Sequence, residues 1–130
     1  MRTIISILLL LFILSCKKDN YIQISDTLTS GTWTISKYID NGDNETSDFT
    51  GYTFNFNIDG SIVAVKDGTG VVGNWSELND DDNLKLNILF TQTTLSELND
   101  DWDLKSKSDN MIELEDISGD GSIDNLTFVK

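Results

Sequence analysis

Tyr52-Thr53-Phe54-Asn55-Phe56-Asn57-Ile58-Asp59-Gly60 decides the fold class. Large apolar residues take every second position and polar ones sit between them. A period of two puts alternate side chains on opposite faces of a strand, so this stretch reads as a strand with one buried face. Asp59-Gly60, followed at once by another apolar run, is a strong hairpin signal. The same period returns in Leu84, Leu86, Ile88 and Phe90, interleaved with Lys85, Asn87 and Leu89.

Weaker strand patterns lie to either side, at residues 32–39, 61–66, 71–78, 101–107, 111–117 and 125–129, which makes about eight strands. The breaks between them are short and carry turn formers: Asp67-Gly68-Thr69-Gly70, residues 79–83, Ser108-Asp109-Asn110 and Ser118-Gly119-Asp120-Gly121. Residues 93–98 have room for one helical turn. Short strands at roughly ten-residue spacing, joined by hairpin-length links, predict an all-β, antiparallel, up-and-down barrel. Eight strands can close on themselves, which removes the exposed edges that make open sheets sticky.

Three tryptophans mark strand starts, in Gly31-Thr32-Trp33, Gly73-Asn74-Trp75 and Asp101-Trp102-Asp103. The first resembles the Gly-x-Trp signature at the start of a lipocalin barrel, where the tryptophan plugs the closed end. The wider layout resembles small bacterial lipoproteins with a lipocalin-like domain. Gly31 to Trp33, the aromatic strand ending in Asp59-Gly60, Gly73 to Trp75 and the aliphatic strand from Leu84 to Phe90 follow in that order. The resemblance covers roughly residues 28–130. It implies a lipocalin-like barrel over residues 30–130, with a small apolar or amphipathic ligand at the open end. Lipocalins set an arginine across the plug tryptophan, and this chain has none beyond Arg2. They also carry a helix after the barrel, whereas residues 125–129 read as a strand. The barrel therefore carries over better than the cavity. Inward residues such as Phe54, Phe56, Leu84, Leu86 and Ile88 are bulky enough to fill a barrel of eight strands.

The N-terminal segment is of another kind. Met1-Arg2 gives a short cationic start, and residues 4–14 are apolar apart from Ser6. Ser15-Cys16 follows, then Lys17-Lys18-Asp19. That is the pattern of a signal peptide, and the apolar run falls short of the roughly 20 residues a spanning helix needs. The small residue before Cys16 resembles a lipobox. The resemblance implies removal of residues 1–15, a diacylglyceryl group on the Cys16 sulfur and an anchor in a bacterial cell envelope, expected in the outer membrane. Residues 16–29, polar and without a sustained period, read as the lipidated flexible tether. Two or three acyl chains anchor stably where one does not.

Loss of Arg2 leaves eight basic side chains against 22 acidic ones, a net charge of −14. The acidic balance speaks against nucleic acid, where cationic contacts dominate affinity. It allows a basic protein partner, for example a cationic envelope hydrolase, or a hard cation. The chain has no histidine, and its one cysteine is Cys16. The usual zinc ligands and the usual general base near neutral pH are thus missing, no cofactor is indicated, and no enzyme is expected. For a metal the sequence offers one weak calcium candidate, Asp116, Asp120 and Asp124, spaced by four around Gly119 and Gly121. It lacks the alternate acids and closing glutamate of an EF-hand, and Asp and Gly are also plain turn formers. Cys16 carries the firmest expectation. Cells fed labelled palmitate should label the wild-type chain, and Cys16→Ser should abolish the label and leave the signal peptide uncleaved by intact mass.

Overall fold

A computed structural model describes residues 23–80 and 83–130. The signal segment, Cys16 and the acids Asp81 and Asp82 lie outside the described residues. Among those described there are nine strands: β1 (Thr34–Asp40), β2 (Asp43–Asn44), β3 (Thr53–Phe56), β4 (Ser61–Lys66), β5 (Thr69–Asp80), β6 (Asn83–Leu89), β7 (Asp100–Lys107), β8 (Met111–Ile117) and β9 (Ile123–Val129). They form one antiparallel sheet in the order β2-β1-β9-β8-β7-β6-β5-β4-β3. From β3 to β9 the chain is an up-and-down meander, and β1 lies beside β9. The expected eight strands are present, and the ninth, β2, is a two-residue strand that folds back antiparallel on the end of β1.

The sheet curls until its two margins touch at one point. Trp33 and Phe54 form an antiparallel bridge, with N–H to O distances of 2.9 and 2.8 Å. The strands are staggered as curling requires: residues 69–74 of β5 pair with β4, and residues 74–80 pair with β6. Between β1 and β3 away from the bridge lies a 3-10 turn, Thr46–Phe49, whose Phe49 is buried.

Turn chemistry sets the register. Asn41-Gly42 and Asp67-Gly68 each have two successive positive φ angles, 48° and 87°, then 51° and 76°. That is the two-residue turn whose twist matches a hairpin. Asp59-Gly60 closes a longer loop. The Asn57 carbonyl accepts from Gly60 N–H at 3.0 Å, and the Asp59 carboxylate accepts from both Ser61 N–H and Ser61 Oγ, at 2.9 and 2.6 Å.

One end of the barrel is stopped by a short helix, α1 (Ser25–Leu28), with Ile24 and Leu28 buried beneath it. Residues 16–29 read as tether, yet from Ile24 onward the chain is packed on the domain. The Glu77 carboxylate on β5 accepts the Ile24 and Ser25 N–H groups at 3.2 and 3.1 Å. It thereby supplies the acceptors that the first turn of a helix lacks. The Trp33 indole donates to the Leu28 carbonyl at 2.9 Å. Lys130 Nζ stands 4.7 Å over the Trp33 ring. That cation is brought there because β9 ends beside the start of β1 (Thr34 opposite Val129).

The interior is filled. Phe54, Ile62, Ala64, Leu86, Ile112, Leu126 and Phe128 have no exposed surface, so none borders a water-sized void. Phe128 meets Phe54 and Phe56 edge-on at 5.5 and 5.4 Å, and Trp75 meets Phe56 at 5.7 Å. The Gly73 of the second Gly-x-Trp is explained by Phe90. A Cβ there would lie 2.6 Å from the Phe90 ring and 2.5 Å from the Leu89 carbonyl oxygen. Gly73→Ala should therefore cost about 2 kcal/mol through overpacking, seen as a lower urea midpoint with an unchanged slope.

Candidate functional site

At the end opposite α1, the alternation of each strand decides what the barrel mouth presents. Tyr38, Trp102, Leu114 and Leu126 are buried on β1, β7, β8 and β9. Two residues further out, the same inward positions hold Asp40, Asp100, Asp116 and Asp124. All four are half-buried, and the four strands are neighbours in the sheet. Asp116 and Asp124 are direct cross-strand partners. One step beyond the Ile39–Asn125 pair sets Asp40 opposite Asp124.

Inside this acidic rim the mouth is stoppered. The 3-10 turn Leu95–Leu98 buries Leu95 and Leu98, and Thr46–Phe49 buries Phe49. The Trp102 indole donates to the Leu98 carbonyl at 2.9 Å, and the Tyr38 hydroxyl donates to the Glu97 carbonyl at 2.8 Å. Tyr38 also meets Phe49 edge-on at 5.0 Å. Asn99 ties the incoming loop to β6: its Oδ1 accepts the Phe90 N–H at 2.6 Å and its Nδ2 donates to the Phe90 carbonyl at 2.7 Å. The two turns add Glu45, Asp48 and Glu97 to the rim.

Burial and neighbouring charge shift several of the groups at this end. Burial pushes the Asp100 carboxyl up to about 6, against the Asp101 N–H that it accepts at 2.8 Å, and the Asp101 and Asp116 carboxylates add to the rise. Glu45 is also raised, by loss of solvent first and then by Asp40, Glu97, Asp48 and Asp43. Burial, with the charges of Asp40, Glu97, Glu45 and Asp124, lifts the Tyr38 phenol far above its ordinary range. Asp101 goes the other way, because Lys85 Nζ donates to it at 3.2 Å; the same lysine lies 3.4 Å from Asp103.

The three calcium candidates are divided among different tasks. Asp120 accepts from Ser122 N–H and Ser122 Oγ at 2.9 and 2.7 Å, which repeats the Asp59–Ser61 turn bond for bond. Asp124 accepts the Asn41 N–H at 2.8 Å and so holds the β1–β2 turn. Asp116 gathers instead with Asp100 and Asp101, with carboxylate oxygens within 4.8 Å of one another; Glu45, Asp48 and Glu97 make a second such triad. Either triad brings three oxygens of the six to eight that calcium takes. Asp40 and Asp100 were absent from the sequence expectations. Their signal was present: the inward periods Tyr38–Asp40 and Asp100–Trp102 simply run on past the apolar residues.

No family model matches the chain, and no curated protein matches it. Among solved structures the fold is similar to the crystal structure of a DUF4847 family protein from Bacteroides vulgatus. The TM-score is 0.56 at 15% identity, over 82% of this chain and 96% of that one. At that identity the likeness is one of fold, a curled strand-rich sheet.

Asp100 gives a pH test. Its folded-state carboxyl lies above the ordinary value, so the folded state holds that proton more tightly than the unfolded one. The stability it confers is full below about pH 4 and is lost as pH rises through about 6. Asp100→Asn should stabilise the domain at pH 7.5 by on the order of 1 kcal/mol, after discounting for solvent screening. It should change nothing at pH 4; urea melts at the two values check it.

Proposed function

We propose that this chain is a lipid-anchored protein of the bacterial cell envelope, held in the outer membrane by Cys16. Its non-catalytic, lipocalin-like domain presents an acidic rim to a basic protein partner. The observation that carries this reading is the mouth. Where a ligand-binding barrel keeps an opening, Phe49, Leu95 and Leu98 fill it, and the inward positions above them are aspartates. A small apolar ligand would have to displace those side chains. A cationic surface meets half-buried carboxylates already clustered by the fold, and such complementarity sets specificity and association rate. The absence of histidine and the single cysteine support a binding role over a catalytic one.

An electrostatic partner is lost in salt, because screening shortens the reach of exposed charges to about 8 Å at physiological ionic strength. Pull-down from native envelope at 50 mM salt should recover a basic protein, and raising salt to 500 mM should release it. The quadruple variant D40N/D100N/D116N/D124N should bind at least ten-fold more weakly at low salt while keeping a folded spectrum. Recovery of no partner at low salt, or binding indifferent to both salt and the variant, would sink the proposal. A reproducible apolar mass on the native protein would favour the ligand reading instead.

A further inference from the structure

Two features emerge at the same end of this domain, the end opposite the rim. One is the N-terminal chain. Glu77 holds Ile24 and Ser25, and Lys107 Nζ donates to the Gln23 carbonyl at 2.6 Å, so the path toward Cys16 leaves beside α1. The other is the β3–β4 turn. The Trp33–Phe54 bridge, with Thr32 Oγ1 donating to Asn55 Oδ1 at 2.9 Å beside it, makes β3 antiparallel to β1, so the turn that follows β3 lies at the end where β1 begins. The Trp75 indole fixes the turn by donating to the Asn57 carbonyl at 2.9 Å.

At the tip of that turn Ile58 is 91% exposed, the most exposed large apolar side chain among the described residues. The turn does not require it. The matching turn, Ser118 to Ser122, has the same Asp-Gly-Ser hydrogen bonds and carries Gly119 in the corresponding place. An isoleucine held rigidly outward gains nothing in water. It gains by entering an apolar medium, and one is close: the seven residue steps from Cys16 to Gln23 reach about 25 Å at most.

We propose that the α1 end of the domain faces the bilayer, with Ile58 seated at the boundary between headgroups and acyl chains. This rests on the reading of Cys16 as lipidated. The tether supplies the local concentration, so a weak contact suffices. Asp26, Asp59, Asp80 and Asp109 share the end, so the contact is apolar rather than electrostatic. The acidic rim then points away from the membrane, clear of anionic headgroups.

The test uses the full-length lipidated protein in vesicles of phosphatidylethanolamine and phosphatidylglycerol. With the Cys16 sulfur acylated, one introduced cysteine is the sole free thiol. A fluorophore is placed at Asp109→Cys, on the α1 end, or at Gly119→Cys, on the rim end, and quenched by brominated lipid. Quenching should be at least three-fold stronger at 109 than at 119, should persist at 500 mM salt, and should fall when Ile58→Asp is added to the 109 protein. Equal quenching at both sites, stronger quenching at 119, or no response to Ile58→Asp overturns the orientation. An intact mass lacking acyl chains overturns the anchor itself, a separate result read on the same sample.

Discussion

Trp33 is the residue on which the closure of this domain depends. Its backbone makes the one bridge that, among the described residues, joins the margins of the sheet. Its indole N–H holds the end of α1, and its ring face receives the Lys130 ammonium. A curled sheet has to hide its interior at both ends, and a buried polar ring edge has to find an acceptor. One side chain meets both needs: it is large enough to fill the taper of the barrel and has one donor to anchor the segment that caps it.

The same device recurs twice. Trp102 donates to Leu98 at the end of the opposite plug, and Trp75 donates to Asn57 in the β3–β4 turn. Each indole pins an irregular segment onto the regular sheet. The plugs carry enough leucine, isoleucine and phenylalanine to fill the interior, and the strands then run two residues past the apolar layer. Those outermost inward positions are wet on one side, so they accept aspartate. The acidic rim is thus a product of how far the core extends. Its charge is held at a mutual separation the unfolded chain does not impose, and burial, aided by the neighbouring carboxylates, raises the Asp100 and Glu45 carboxyls.

Much of the architecture was legible because it follows from period and turn residues. The alternation from Tyr52 to Ile58 and from Leu84 to Phe90 gave strands β3 and β6 within two residues, and the helical turn placed in 93–98 is the 3-10 turn Leu95–Leu98. Asn41-Gly42, as strong a hairpin signal as Asp59-Gly60, marks β2 and went unread because a two-residue strand has no period to detect. Packing against a distant strand was beyond reach in α1, where four residues in a polar stretch are helical because Glu77, 52 residues away from Ser25, caps them. Lys130 over Trp33 was hidden for the same reason. At the candidate site, Asp116 and Asp124 were picked out by their spacing along the chain. The pairing across β8 and β9 gives them their neighbours, and Asp120 between them serves the turn.

The pairing of β1 with β9 has a kinetic consequence. Every other long strand meets its neighbour across a short link, so the meander from β3 to β9 can form in order as the chain lengthens. Thr34, however, meets Val129 across 95 residues. The first strand to be made must wait for the last, and loop-closure entropy makes so distant a pairing slow. Until it forms, β9 is an open edge and the Lys130 at its end is not held over Trp33. The seam therefore closes late, and the cation over Trp33 reports that β9 has joined β1.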